Sequence, residues 1–203
     1  MEELSVNYET LLTEVADCNL EEKIQYLVDV LPDIWCDKYR AMTPTPTNIL
    51  QFNDNHFEFL FDLSAELVAQ GAVPEDEAVE DRVVAVFGRS QKSAGKRDAS
   101  RIRGFLGGRL EDAKEVSTDK GHFMGHALGG GLDVNLFPQR SDINRGRSER
   151  GKVYRAMERY CAEHLGTFCF SRAIYSDRSW RPSQLEYGLL KKDGTLWVER
   201  FDN

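Results

Sequence analysis

Residues 119–146 read DKGHFMGHALGGGLDVNLFPQRSDINRG and hold two clusters of chemistry-bearing side chains. The first is Asp119-Lys120-Gly121-His122; the second runs from Asn135-Leu136-Phe137-Pro138-Gln139 to Asp142-Ile143-Asn144-Arg145-Gly146. His126 follows His122 at helical i, i+4 spacing, as a zinc pair would. Gly121, Gly125 and Gly129-Gly130-Gly131 oppose a stable helix there, and the triple glycine reads most simply as a flexible turn. Asn135 reads as a brace for the loop.

Downstream, Ser148 to Leu165 has the spacing of an amphipathic helix, with Val153, Tyr154, Met157, Tyr160, Cys161 and Leu165 on its apolar side. Lys152, Arg155 and Arg159 share the other side, and Gly166 marks the end. The tail alternates as strands do from Thr167 to Tyr175 and from Leu185 to Leu190, and Asp193-Gly194 turns into a last strand from Leu196 to Phe201. Upstream, Val83 to Phe87 is a short strand-like run, followed by a basic, glycine-punctuated stretch from Arg89 to Arg109.

The first 80 residues differ in character. They carry 3 Lys/Arg against 18 Asp/Glu, a balance of −15, whereas residues 81–203 carry 23 against 16, a balance of +7. The whole-chain −8 therefore conceals a basic segment able to meet a polyanion. Asn19 with Glu22 forms a capping-box pattern ahead of Ile24, Leu27, Val28 and Leu31, and Pro32 is expected to stop that helix or start a new turn. Phe57, Leu60, Phe61, Leu67 and Val68 suggest a second helix from Asn55 to Gly71. The expected plan is an acidic helical region over 1–80, with a regulatory or docking role, and a second domain over 81–203. Cys18, Cys36, Cys161 and Cys169 have no close pairing and read as reduced, mostly buried thiols. No secretory signal or membrane span is visible, so a cytoplasmic protein is expected, with export by another route left open.

Taken in order, with a strand before the first cluster and a helix after Asn144, the two clusters resemble the DNA/RNA non-specific endonuclease family of the ββα-metal superfamily. That family carries D-R-G-H, then N-x-x-P-Q, then an asparagine near the entry to a helix; the resemblance covers residues 81–203. It implies an α+β fold, a mainly antiparallel sheet with a packed helix. His122 would be the general base that activates water, and Asn144 the catalytic ligand of Mg²⁺ and also the helix cap. Lys120, Arg145, Lys152 and Arg155 would meet the phosphates of DNA, with RNA as a second substrate class. Two positions depart from the family: Lys120 stands for arginine, and Lys152 stands where a glutamate usually holds a metal-bound water. Arg89, Arg101, Arg103 and Arg109 are alternatives for the arginine that stabilises transition-state charge. The function expected is metal-dependent, sequence-tolerant hydrolysis of phosphodiester bonds. By analogy it suggests a bacterial toxin or defence effector with an inhibitor or immunity protein as partner, and no membrane. The alternative is a catalytically inactive nuclease-like module that binds nucleic acid or protein.

Overall fold

In the computed structural model, residues 5–43, 46–71, 80–93 and 117–203 are described. After a short helix α1 (Tyr8–Glu14), the capping box forms as its spacing predicts. The Asn19 side chain accepts from Glu22 N at 3.0 Å while the Glu22 carboxylate accepts from Asn19 N at 2.9 Å. It opens α2 (Leu20–Met42), which does not stop at Pro32 but runs through it. A proline in a helix interior costs about 3 kcal/mol. Leu27, Leu31, Trp35 and Tyr39 form one buried stripe on both sides of it, and each is worth about 1.5–3 kcal/mol when buried, so packing wins.

The helix expected over Asn55–Gly71 is instead a hairpin and a short helix. Strands β1 (Ile49–Asp54) and β2 (Phe57–Asp62) pair antiparallel, and Asn55 takes the turn at φ 54°. Only Ser64–Ala69, α3, is helical. A register shift between Leu60 and Phe61 explains the misreading. The shift leaves Val84 of the next strand, Arg82–Arg89, as the extra residue, and across it the buried positions change parity: Phe59 and Leu60 are both buried, so two-residue alternation is lost and Phe57, Leu60 and Phe61 stand at helical spacing.

β2 pairs with β3 (Arg82–Arg89), so one sheet crosses residue 80. A separate hairpin, β4 (Thr118–His122) with β5 (Leu136–Arg140), follows. Next come α4 (Ser141–Asn144) and α5 (Glu149–Glu163). β6 (Phe168–Ile174), β7 (Gln184–Leu190) and β8 (Leu196–Asp202) then complete a six-stranded sheet, ordered β1-β2-β3-β6-β7-β8 and antiparallel throughout. The protein is thus α+β with an antiparallel sheet, and the late strands lie where alternation places them.

Successive strand residues point to opposite faces, which separates the two long helices. Trp35 of α2 meets Phe87 and Phe170, with ring centres 5.7 and 4.9 Å away. Tyr154 of α5 meets Tyr187 and Phe201 on the other face, at 5.4 and 5.2 Å. The Arg172–Glu186 pair, 2.8 Å apart and buried, lies on the α2 face. Tyr8 donates to Glu186, and Trp35 to Tyr8, so a buried charge pair ties both N-terminal helices to the sheet. Of the cysteines, Cys36, Cys161 and Cys169 are buried and Cys18 half-buried; all four are free thiols. No described helix is long and apolar enough to cross a membrane.

Candidate active site

The two sequence clusters turn out to be the two strands of one hairpin. Asp119 pairs with Gln139, Gly121 with Phe137 and His122 with Leu136. Gly121 is required by this contact: a Cβ there would lie 2.4 Å from both Cβ and Oε1 of Gln139. The loop between the strands is closed by Asn135, which is fully buried. Its amide oxygen accepts from Met124 N at 2.9 Å, and Nδ2 donates to the carbonyls of Met124 and Gly131 at 2.8 and 2.9 Å. Asn135 thus braces the loop as expected. The triple glycine is not the free turn its composition suggests. A Cβ on Gly130 would sit 1.9 Å from the Met124 carbonyl oxygen, and one on Gly131 2.1 Å from Asn55 Nδ2. Close backbone packing selects glycine at Gly130, while at Gly131 the space is filled by the Asn55 and Asp54 side chains.

Asn144 ends α4 rather than capping the long helix, which corrects the expectation that it does both. Gly146, at φ 66°, turns the chain away, and Ser148 provides the cap by accepting from Gly151 N at 3.0 Å. Gly151 lets the two helices touch, since a Cβ there would meet the Asp142 carbonyl at 2.3 Å.

These elements enclose a cleft of about 380 Å³. Of the residues singled out from sequence, Lys120, His122, Asn144, Arg145 and Arg155 line it together. Lys152 does not; its ammonium pairs with Glu149 at 2.5 Å on the exposed side of α5. His126 lines the cleft too, its Nε2 in a 2.9 Å hydrogen bond with Ser93 Oγ. Of the candidate transition-state arginines, Arg89 is engaged by Glu21 at 2.5 Å, and Arg101, Arg103 and Arg109 lie outside the described residues.

Glu158 and Arg159 also reach the cleft, and Glu158 had no place in the sequence reading. The signal was present: Arg155, Glu158, Arg159 and Ala162 follow the i, i+3, i+4, i+7 spacing of one helix face. The Glu158 carboxylate is only 15% exposed, accepts from Arg155 at 2.7 Å, and lies against Gly125, where a Cβ would come within 2.6 Å of Oε1.

Asp119 gathers the other side of the site. Asn144 Nδ2 donates to its Oδ2 at 3.2 Å, and Arg145 donates to it through Nε at 2.7 Å and through Nη2 to Oδ1. Burial alone would push the Asp119 carboxyl up, but hydrogen bonds from Arg145 and Asn144 and the nearby guanidinium charge together hold it below its ordinary value. Beneath the hairpin, Tyr154 donates to the His122 carbonyl at 3.3 Å, and burial raises the Tyr154 phenol far above its usual range.

No family model matches the chain, and no curated protein is similar to it in sequence.

Among the described residues, no three His, Cys, Asp or Glu side chains come together as a cage for a metal ion. Among the described residues lining the cleft, the side-chain oxygen ligands are the Asn144 amide and the Glu158 carboxylate. Such a sparse set fits a hard cation that keeps most of its water and takes phosphate oxygens from a substrate, as Mg²⁺ does.

Proposed function

We propose that this protein is a metal-dependent, largely sequence-non-specific endonuclease that hydrolyses phosphodiester bonds of DNA, and of RNA as a second class. We place it with the DNA/RNA non-specific endonucleases of the ββα-metal superfamily. The observation that carries this reading is the convergence of His122, Asn144 and the cations Lys120, Arg145, Arg155 and Arg159 on one cleft. The β4–β5 hairpin and the two helices after it, α4 and α5, bring them there.

In this reading His122 takes the proton of the attacking water, a step worth about 10²- to 10⁴-fold in rate. Asn144 holds Mg²⁺, which when bound stabilises negative charge on the phosphate and on the departing oxygen. Lys120, Arg155 and Arg159 meet the phosphates. Contacts to phosphate carry no base information, which accounts for the tolerance of sequence. A chain of this activity needs restraint or delivery, the circumstance of a bacterial toxin or defence effector held by an inhibitor protein.

Incubation of the full chain with supercoiled plasmid, Mg²⁺ and a chelator control tests the reading. Nicking is expected with Mg²⁺ alone, lost by about 10²- to 10⁴-fold in His122→Ala and much less affected in His126→Ala. Equal losses in the two variants, or the reverse ranking, would remove His122 as the base. A rival reading, a nuclease-like module that binds without turnover, draws on the Arg145–Asp119 and Arg155–Glu158 pairs, which engage two of the cleft cations. Plasmid binding without nicking under any divalent cation would establish it.

A further inference from the structure

An asparagine amide has two chemically different ends, and only its oxygen can bind a cation. Rotation about χ2 of asparagine is broad and roughly two-fold, so nothing intrinsic to Asn144 chooses which end is presented. Its neighbour does. Both oxygens of an ionised carboxylate only accept, so the end facing Asp119 Oδ2 at 3.2 Å has to be the NH₂. Turning the amide over would set its oxygen against a carboxylate oxygen.

The carboxylate is itself fixed. The bidentate contact from Arg145 Nε and Nη2 leaves it little freedom, and its side chain is only 16% exposed. Strand pairing of Asp119 with Gln139 sets its height, and Arg145 N donates to the Ser141 carbonyl at 3.0 Å, which sets the end of α4.

We propose that Asp119, clamped by Arg145, is a positioning residue that turns the Asn144 amide so that its oxygen is the end offered to a cation in the cleft. Arg145 then works chiefly as the counter-ion of Asp119 rather than as a phosphate clamp. This inference rests on the nuclease reading in taking Asn144 as the cation ligand.

The test uses the metal alone and the full-length chain. Mg²⁺ uptake is followed by calorimetry, and the Asn144 side-chain amide by ¹⁵N NMR without metal, in the unaltered chain and in Asp119→Ala, Asp119→Asn and Arg145→Lys. Loss of an outer partner of a metal ligand typically weakens metal binding about 10- to 100-fold, the drop expected for Asp119→Ala. Its Asn144 amide protons should also lose their hydrogen-bonded shift and exchange protection. Asp119→Asn keeps an acceptor for Asn144 and should restore part of both, and it serves alone if the alanine variant fails to fold. Metal-free DNA affinity should hold or rise in Asp119→Ala, because Arg145 is released. Unchanged Mg²⁺ affinity or unmoved amide signals in both Asp119 variants would overturn the inference. If the unaltered chain takes up neither Mg²⁺ nor Mn²⁺ while the amide signals respond as expected, the positioning stands and the nuclease reading fails.

Discussion

At the scale of single residues, the site depends on side chains that are absent as much as on those present. Gly121 faces Gln139 across the β4–β5 pair with no room for a methyl group. Gly121→Ala should cost about 1–3 kcal/mol, the usual penalty for overpacking, measured by urea unfolding, and should lower plasmid nicking by displacing His122. Gln139→Gly in the same chain removes the atoms that the new Cβ meets and should recover part of both. If Gly121→Ala proved neutral, the close approach of the two strands would be wrong. His122 and Asn144 were legible as candidates because their motifs are local. The engagement of Asp119 with both Asn144 and Arg145 was not, since its partners stand 25 and 26 residues away and meet it only once the hairpin and α4 form.

Among the elements, capping chemistry was readable and interruptions were not. The Asn19–Glu22 box depends on atoms within a few residues, so spacing is enough to find it, whereas the cap expected at Asn144 falls to Ser148 because a separate short helix ends at Asn144. Pro32 misled because its local penalty is outweighed by Trp35 and Tyr39 beyond it, both inserted in the core. Pro32→Ala should therefore stabilise the protein. Restoring the helix interior is worth about 3 kcal/mol, less about 1 kcal/mol for the looser unfolded chain, so a gain of about 2 kcal/mol is expected. Thermal unfolding followed by circular dichroism reads it, and a lower midpoint would mean that the proline ring makes packing contacts worth more than the bond it removes. The β1–β2 hairpin misled for the opposite reason, because β2 buries the consecutive residues Phe59 and Leu60 where its pairing with β3 shifts register, and the alternation on which a strand reading relies is lost.

For the whole molecule, the step from −15 to +7 suggested two segments with separate tasks, yet the sheet runs through the place where the charge changes. α2 lies on the face opposite α5 and the cleft, so the acidic helix stands behind the basic site, not in it. Deleting residues 1–80 would strip β2 from β3, uncover Phe87 and Phe170, and remove Tyr8 from the buried Arg172–Glu186 pair. Uncovering large core side chains such as Phe87 and Phe170 costs about 1.5–3 kcal/mol each, a large share of a marginal stability of about 5–15 kcal/mol. The shortened chain is expected to lose cooperative unfolding and dispersed amide NMR signals. If residues 81–203 instead unfold cooperatively and cut plasmid, they form an independent unit and the N-terminal elements are an addition to it.

The sequence by itself determined which side chains are candidates for the site, where α5 and the late strands run, and that the charge is unevenly shared. Each of these rests on neighbours within a turn or a strand, where periodicity and capping act. Only the tertiary structure decided that α2 continues past Pro32, that residues 49–62 join the sheet, that Glu158 enters the cleft while Lys152 leaves it, and that Asp119 holds Asn144 and Arg145. Those outcomes depend on contacts between residues far apart in the chain. Burial and charge pairing across such contacts outweigh local preference, and no reading of spacing alone contains them.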